Sequence, residues 1–480
     1  MAMRAITRLT LRSLAVLGIA LLALLAVLLA INAFDEDLSP EVVELLKPAV
    51  PDVREAHNAY YVLVGLDAPS DADPHAFGRQ QVEKMIDEDK RLQKMTRAEK
   101  LREAEQGMQE AFAQIGRVKS ANRESGRMKI KPADSKYLCA QPCLEHVKRN
   151  RAEVKRVLDE NRELLDRYRL LMKQPSVGET YVPREYATQS QSTERIFGFS
   201  SFHRLWITHV AFEFDNGNLE AAFADLEHDI VLLRALLKGA PDPVYKEAAT
   251  YALETDVALL AEIVVARPGA ARQFNNRIEA MLTPLTSEEL RWTRLDKAQM
   301  TAGINARLEP TPDNVYDWPL WPFFKRNASV NRLYAAHRLI YEWNEFSASQ
   351  DEAMRQRIAQ ATQKLRFPYW SFAYNPVGKW ELSEMDFNAY IDYFERYYDF
   401  DGLRRLVALG ARLAPHAQGD IPSLIEKSDA SVTDPYTGKP MKWDAVRKQV
   451  YFEPRSERWL KRKQPPIGGV QGRIGLKLLP

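Results

Sequence analysis

Residues 202–238 read FHRLWITHVAFEFDNGNLEAAFADLEHDIVLLRALLK, and this stretch decides the fold class. Residues 202–215 read as a helix. Gly217-Asn218-Leu219-Glu220-Ala221-Ala222 reads as a turn that restarts a second helix to about Leu237, and Val244–Val265 reads as a third helix. A helical hairpin followed at once by another helix predicts a mainly α body. The chain around it has 480 residues, 45% of them hydrophobic, which is enough for a sizeable core. At about 100–200 residues per domain that length allows two or three domains. With 21 Gly and 27 Pro, the composition excludes collagen, Gly/Ser linkers and low-complexity disorder. Two cysteines exclude a disulfide-dense small protein and a four-cysteine zinc module. A net charge of +2 excludes a strongly basic nucleic-acid binder.

Working outward from the hairpin, apolar residues at 3–4 spacing between Gln80 and Gly126 predict an amphipathic helix. One long helix is expected from Pro142 to about residue 173, and residues 174–194, polar with two prolines, are expected to be a loop. Thr286 and Glu289 form a capping-box pattern that opens a further helix. Residues 306–326 hold four prolines and read as loop. Helices are expected at about 329–348, 351–366, 382–398 and 400–413, with an aromatic loop at 367–379. After Pro415 the pattern changes. Asp434-Pro435-Tyr436-Thr437-Gly438 is a turn, and 441–443 and 449–452 read as short strands, with one more strand or an ordered tail in 464–480.

The turn at 217–222 resembles the inter-helix turn of tetratricopeptide repeats, where Gly allows the turn and Ala lets the helices approach. That resemblance covers 202–238 only, and no second copy follows at the repeat's roughly 34-residue period. An irregular all-α domain and a longer α-solenoid both fit it.

Leu14 to Phe34, LAVLGIALLALLAVLLAINAF, is 21 residues without a charge. At about 1.5 Å per residue it spans a hydrocarbon core of about 30 Å. Arg4, Arg8 and Arg12 precede it, and Asp35, Glu36 and Asp37 follow, so the positive-inside bias keeps the N-terminus cytoplasmic and sends the bulk across. A cleaved signal peptide is the competing reading. Against it, the apolar stretch exceeds the usual h-region of about 7–15 residues, and Ile31 is large at the −3 position of the best cleavage site. The expectation is a single-pass anchor in a bacterial inner membrane with a periplasmic body. The anchor is flanked by an acidic stem, since residues 35–77 hold ten acids and two bases, net −8. Residues 438–480 hold eleven bases and three acids, net +8. The fold class expected is therefore mainly α: an N-terminal transmembrane helix, an irregular all-α helical-hairpin body and a small C-terminal β appendage. The expected divisions are a cytoplasmic stub 1–12, an anchor 13–34, an acidic stem with charged amphipathic helix 35–135, a helical-hairpin domain 136–305, an aromatic-rich helical domain 306–433, and a basic β-hairpin tail 434–480.

Chemistry-bearing motifs are few. No phosphate loop, dinucleotide fingerprint, nucleophile elbow, His-Glu-x-x-His or EF-hand loop occurs, and no cofactor or metal is expected. Cys139 and Cys143 are expected to form a disulfide that pins the start of the 142–173 helix; a redox pair, a metal pair joined by His146, or free thiols are the alternatives. His209 with Glu213 on one helix, and Glu227-His228-Asp229 on the next, could meet as a carboxylate–imidazole site or be ordinary packing groups. Residues 316–400 contain 22 of the 47 aromatics, including Trp318, Trp321, Trp343, Trp370 and Trp380. Core packing, a binding groove for sugar rings, and a partner or membrane surface all suit such residues. Arg455, Arg458, Lys461, Arg462 and Lys463 form a basic patch that can stay solvated, pair with the acidic stem, or touch an anionic lipid or glycan. Ala373-Tyr374-Asn375 and Gly107-Met108-Gln109 resemble elements of lytic transglycosylases, but Glu124-Ser125 follows Gly107-Met108-Gln109 where that family places its Glu-Ser pair a short way before.

Asn375-Pro-Val-Gly-Lys379 and Asp434-Pro-Tyr-Thr-Gly-Lys-Pro440 give the chain a resemblance to uncharacterised membrane-anchored helical proteins of proteobacterial genomes. The resemblance implies an anchor and a helical body and no activity. The function expected is a membrane-anchored periplasmic interaction or scaffold protein of the cell envelope, with a protein partner and no nucleic acid. The alternative is an enzyme or binding protein acting on an envelope polymer such as peptidoglycan, with Glu381 and Glu384 as its candidate carboxylates.

Overall fold

The structure is a computed structural model that describes residues 2–46, 58–95, 99, 102, 128, 130–139, 142–174, 176–178, 186–239, 243–290, 321–341, 348–416, 419–461 and 472–478. The fold is mainly α with one small sheet. Helix α1 (Ala2–Ile31) leads into α2 (Pro40–Leu46), α3 (Ala59–Val64) and α4 (Pro74–Gln93). Then come α5 (Cys143–Arg149), α6 (Arg151–Glu160), α7 (Arg162–Met172), α8 (Tyr186–Asp215), α9 (Leu219–Gly239) and α10 (Pro243–Ala266). Next are α11 (Pro268–Gln273), α12 (Asn275–Met281), α13 (Ser287–Leu290), α14 (Arg326–Tyr341), α15 (Asp351–Leu365), α16 (Pro376–Ser383) and α17 (Ala389–Leu413). Helix α18 (Ile421–Glu426) precedes β1 (Lys442–Asp444) and β2 (Gln449–Phe452), and α19 (Glu457–Leu460) precedes β3 (Ile474–Lys477). The stretch Ser13–Ile31 of α1 has a mean hydropathy of 3.1 and lies wholly on the outside, so it is long and apolar enough to cross a membrane.

Helices α8, α9 and α10 pack on one another as the centre of the body, with α5, α6 and α7 against α8 and the long α17 against α10. Gly217 turns the α8–α9 hairpin at φ +86°, a conformation a Cβ disfavours, and Asn218 N–H closes the turn on Glu213 O at 3.0 Å. One apolar core runs without a break from Val42 in α2 to Leu476 in β3. A second, smaller cluster joins Tyr60, Tyr61, Val64, Val82, Met85 and Tyr245. Helices α3 and α4 approach so closely there that a Cβ on Gly78 would stand 1.8 Å from Tyr61 O.

Four expectations are corrected. The long helix from Pro142 is three helices, broken at Asn150 and Asn161. Each Asn leaves helical geometry, at φ −112°, ψ 24° and φ −111°, ψ 23° respectively. Each side-chain amide donates to the carbonyl four residues back, His146 O at 2.9 Å and Val157 O at 2.8 Å. That side-chain bond competes with the helical ladder. The loop expected at 174–194 gives way to α8 at Tyr186; residues 186–194 contain neither Gly nor Pro, so polarity alone was misleading. The charged helix starts at Pro74, earlier than Gln80, because Asp73 caps it by accepting Ala76 N–H at 2.8 Å. Its expected continuation through 103–126 lies outside the described residues. Finally, 382–413 is not two helices of about equal length. The helix α17 runs unbroken through Gly402, whose missing side chain makes room for the Phe452 ring, as Gly410 does for Leu476. The two glycines seat the sheet.

That sheet has the order β1-β2-β3, antiparallel throughout, with Trp443 opposite Val450 and Val450 opposite Leu476. Asp399 of α17 locks it down. Its carboxylate accepts the Tyr436 hydroxyl at 2.6 Å and the backbone N–H groups of Arg455 at 3.0 Å and Ser456 at 2.9 Å. The Asp434-Pro-Tyr-Thr-Gly-Lys-Pro segment is the turn that presents Tyr436, with Asp434 Oδ1 accepting the N–H groups of Tyr436 and Thr437 at 2.9 and 3.1 Å.

Candidate functional site

Two arrangements stand out. The first lies in the centre of the body. His203 (α8), Asp229 (α9), Asp256 (α10) and Tyr168 (α7) occupy positions that the helix period turns inward, and all four are fully buried. His203 Nε2 lies 2.9 Å from Asp256 Oδ1 and 3.4 Å from Asp229 Oδ2. The Tyr168 hydroxyl donates to Asp229 Oδ1 at 2.8 Å. Phe199 and Trp206 stack on the Tyr168 ring at 6.1 and 5.3 Å. Burial works against a charged ring, but Asp256 and Asp229 outweigh it and push the His203 imidazole up to about 10. Burial, followed by the charge of Asp229, pushes Asp256 up to about 7. Burial and the same two acids raise the Tyr168 phenol well above its ordinary value.

One imidazole nitrogen and two carboxylates within 4.8 Å of one another could hold a divalent cation of the N/O-preferring class. A proton competes for the same place. The two acids favour the imidazolium, which has no lone pair to give a metal, so a cation would have to displace that proton to bind. The cluster is an ionic lock that joins four helices.

The second arrangement sits where α1 ends. Asn32 is buried, its amide donating to Ala373 O at 2.6 Å and its Oδ1 accepting Asn375 N–H at 2.8 Å. Asp35 caps α14, accepting Asn327 N–H at 2.8 Å and Ala328 N–H at 3.1 Å, where the helix dipole favours a carboxylate. Asn331 Nδ2 donates to Glu36 Oε1 at 3.0 Å and to Asp37 O at 2.8 Å. Ser39 N–H then donates to Asn331 Oδ1 at 2.9 Å. Asn375 is the hub. It adopts the left-handed conformation at φ 50°, ψ 49°, which Asn tolerates better than other side chains. Its Oδ1 accepts Lys325 N–H at 2.8 Å and Gly378 N–H at 3.2 Å, and its Nδ2 donates to Ser329 Oγ at 2.9 Å. The apolar helix therefore passes into the body through a hydrogen-bonded latch.

Cys139 and Cys143 are joined as a disulfide with Cα atoms 5.1 Å apart, at the start of α5, and so neither thiol is available to a metal. Glu262 of α10 holds that helix end, accepting the N–H groups of Cys143 and Leu144 at 2.7 and 2.8 Å. Burial pushes Glu262 up to about 7 despite those bonds. His209 bonds Asp225 at 3.2 Å rather than any of Glu227-His228-Asp229. Asp229 instead meets His203, six residues earlier on α8. Among the tryptophans, Trp380 on α16 is 56% exposed. Trp321 and Trp370 lie in short 3₁₀ turns, and Trp318 and Trp343 are outside the described residues. Arg455 pairs with Asp351 and lies 4.5 Å from the Tyr436 ring. Arg458 pairs with Glu254 at 3.0 Å and covers the Tyr251 ring at 4.8 Å. Lys461 pairs with Glu457 one turn back, and Arg462 and Lys463 are outside the described residues. The acids that meet Arg455 and Arg458 belong to α15 and α10, not to the stem.

His203 and Asp256 escaped notice in the sequence. Their signal was a polar residue inside an apolar stripe, as in Phe199-x-x-x-His203-x-x-Trp206 and Leu253-x-x-Asp256-Val257. No protein-family model, no curated protein and no solved structure matches this chain.

Proposed function

We propose that this protein is a single-pass protein of the bacterial inner membrane, with its N-terminus cytoplasmic and its body periplasmic, and that it acts as a rigid scaffold for protein partners of the cell envelope. The latch of Asn32, Asp35, Glu36 and Asn375 carries the reading. A freely tethered domain needs a flexible linker after its anchor. Here three of the five residues that follow Ile31, Asn32, Asp35 and Glu36, already bond to α14 and to the segment before α16, which favours a fixed pose of the body relative to the anchor. The flanking Arg4, Arg8 and Arg12 support the orientation.

The titratable cluster of the body supports a structural role over a catalytic one. It is closed to solvent, and catalysis on a polymer needs an open cleft with converging acids. One open pocket among the described residues, of about 550 Å³ beside α15, is lined by Ala359, Thr362, Gln363, Arg366, Phe367, Pro368 and Asn388, with no acid among them. Glu381 is half-buried on α16 and Glu384 is exposed just past its end, a common setting for solvated acids.

Alkaline carbonate washing and protease protection test the reading. Membranes should retain the full chain, and protease added to spheroplasts should cut the body. Release by carbonate, or protection of the body until lysis, would overturn it.

A further inference from the structure

Beside the latch lie two cations whose partners among the described residues are all neutral. Arg332 of α14 donates Nη2 to Arg366 O at 2.9 Å, while its Nε is buried without a partner. The Lys379 ammonium on α16 donates to Ser371 O. Neither forms an ion pair among the described residues. Burial holds the Arg332 guanidinium below its ordinary value. Burial, then the charge of Arg332, does the same to Lys379. Two partly desolvated cations, with the charge of Arg332 reaching Lys379 and only carbonyls as their partners among the described residues, call for a counter-charge. An anion between them would relieve both.

The surroundings say which anion. Two exposed aromatics flank the Lys379 bond: Phe372 follows its acceptor Ser371 and is 42% exposed, and Trp380 follows Lys379 itself at 56%. Phe34, 83% exposed, closes the apolar helix just past Asn32. Asn32 bonds Ala373 and Asn375, which lie between Ser371 and Lys379 in sequence. Aromatics and cations at the end of an apolar helix are the composition of a bilayer interface, where lipid phosphates lie. A guanidinium and an ammonium are also the usual phosphate donors.

We propose that Arg332 and Lys379, flanked by Phe372 and Trp380 beside the end of α1, form a seat for the phosphate of an anionic phospholipid. The seat rests on the reading of α1 as a membrane anchor. It fixes the body's tilt by adding a second point of attachment.

The test uses the full chain in detergent micelles, titrated with phosphatidylglycerol or phosphatidylcholine and followed by native mass spectrometry. Phosphatidylglycerol should bind about tenfold or more tightly than phosphatidylcholine. Arg332→Gln/Lys379→Gln should abolish the preference, while Arg332→Lys/Lys379→Arg keeps most of it. If the Gln pair fails to fold, brominated lipids replace it: brominated phosphatidylglycerol should quench the Trp380 share of the fluorescence, taken as wild type minus Trp380→Phe, more than brominated phosphatidylcholine does. Equal binding or quenching by the two lipids, a preference that survives the Gln pair, or full displacement by inorganic phosphate would each overturn the proposal. Micelle binding does not require α1 to span a bilayer, and carbonate washing tests that separately, so the two failures are distinguishable.

Discussion

Replacing His203 with Gln removes the positive member of the central lock and leaves Asp229 and Asp256 facing one another in the core. The folded imidazole stands at about 10 against an ordinary 6.5. A group whose folded value is raised gives its full stabilisation below the unfolded value and loses it as pH climbs through the folded one. His203 therefore stabilises the wild type fully below about pH 6.5 and progressively less up to about pH 10, a loss of about 4–5 kcal/mol at 1.4 kcal/mol per unit. The charges facing it are Asp229 and Asp256, with the Tyr168 hydroxyl bonded to Asp229. Asp256, raised to about 7, loses its own proton-linked share between the ordinary carboxylate range and pH 7. It adds little to the slope above pH 8. Breaking such a buried set by removing one partner costs about 3–5 kcal/mol. Urea unfolding of the full chain in detergent, followed by helical circular dichroism from pH 7 to 10, reads this directly. His203→Gln should be less stable at pH 7 by about that amount, and the two proteins should converge toward pH 10. Curves that run parallel across the range would show that His203 carries no special charge and refute the lock.

Two further predictions concern packing. Gly78→Ala forces a methyl onto the carbonyl of Tyr61, and backbone on both sides cannot yield cheaply, so α3 and α4 must separate. The loss should be about 1–3 kcal/mol, seen as a lower urea midpoint and earlier proteolysis in 59–93; an unchanged midpoint would contradict the close crossing. Glu262→Ala removes the cap of α5, worth about 1 kcal/mol, and should speed reduction of the Cys139–Cys143 disulfide by dithiothreitol, while Glu262→Gln, which keeps an acceptor, should change it less.

The hairpin was legible in the sequence because Gly217 is the one residue in that turn able to take a positive φ cheaply, and Ala222 is buried in the contact it opens. The capping box was legible for a similar local reason: Thr286 N–H meets Glu289 Oε2 at 2.6 Å, within four residues. The breaks at Asn150 and Asn161 were not legible, since a one-residue break leaves the apolar stripe of Val147, Val154, Val157 and Leu165 almost in phase. The room that Gly402 makes for Phe452 was not legible either, because the two lie fifty residues apart. The latch and the lock were hidden for the same reason. Asn32 finds its partners more than three hundred residues on, and Asp256 finds His203 on a neighbouring helix. The segments at 375–379 and 434–440 did stand out as motifs. Both turn out to be junctions: Asn375 ties the end of α1 to α14, with its N–H on Asn32 and its side-chain amide on Ser329, and Tyr436 ties the segment before the sheet to α17 through Asp399.

The central claim is that the body is bolted to its apolar helix. Spin labels at Leu29→Cys in α1 and Val231→Cys on the exposed face of α9 test it most directly, because the two native cysteines are tied in a disulfide and take no label. In nanodiscs, the account predicts one narrow distance distribution for the full chain, and a broad one after Asn32→Ala and Asp35→Ala open the latch. A broad distribution in the unaltered latch, or a narrow one that survives both substitutions, would contradict it.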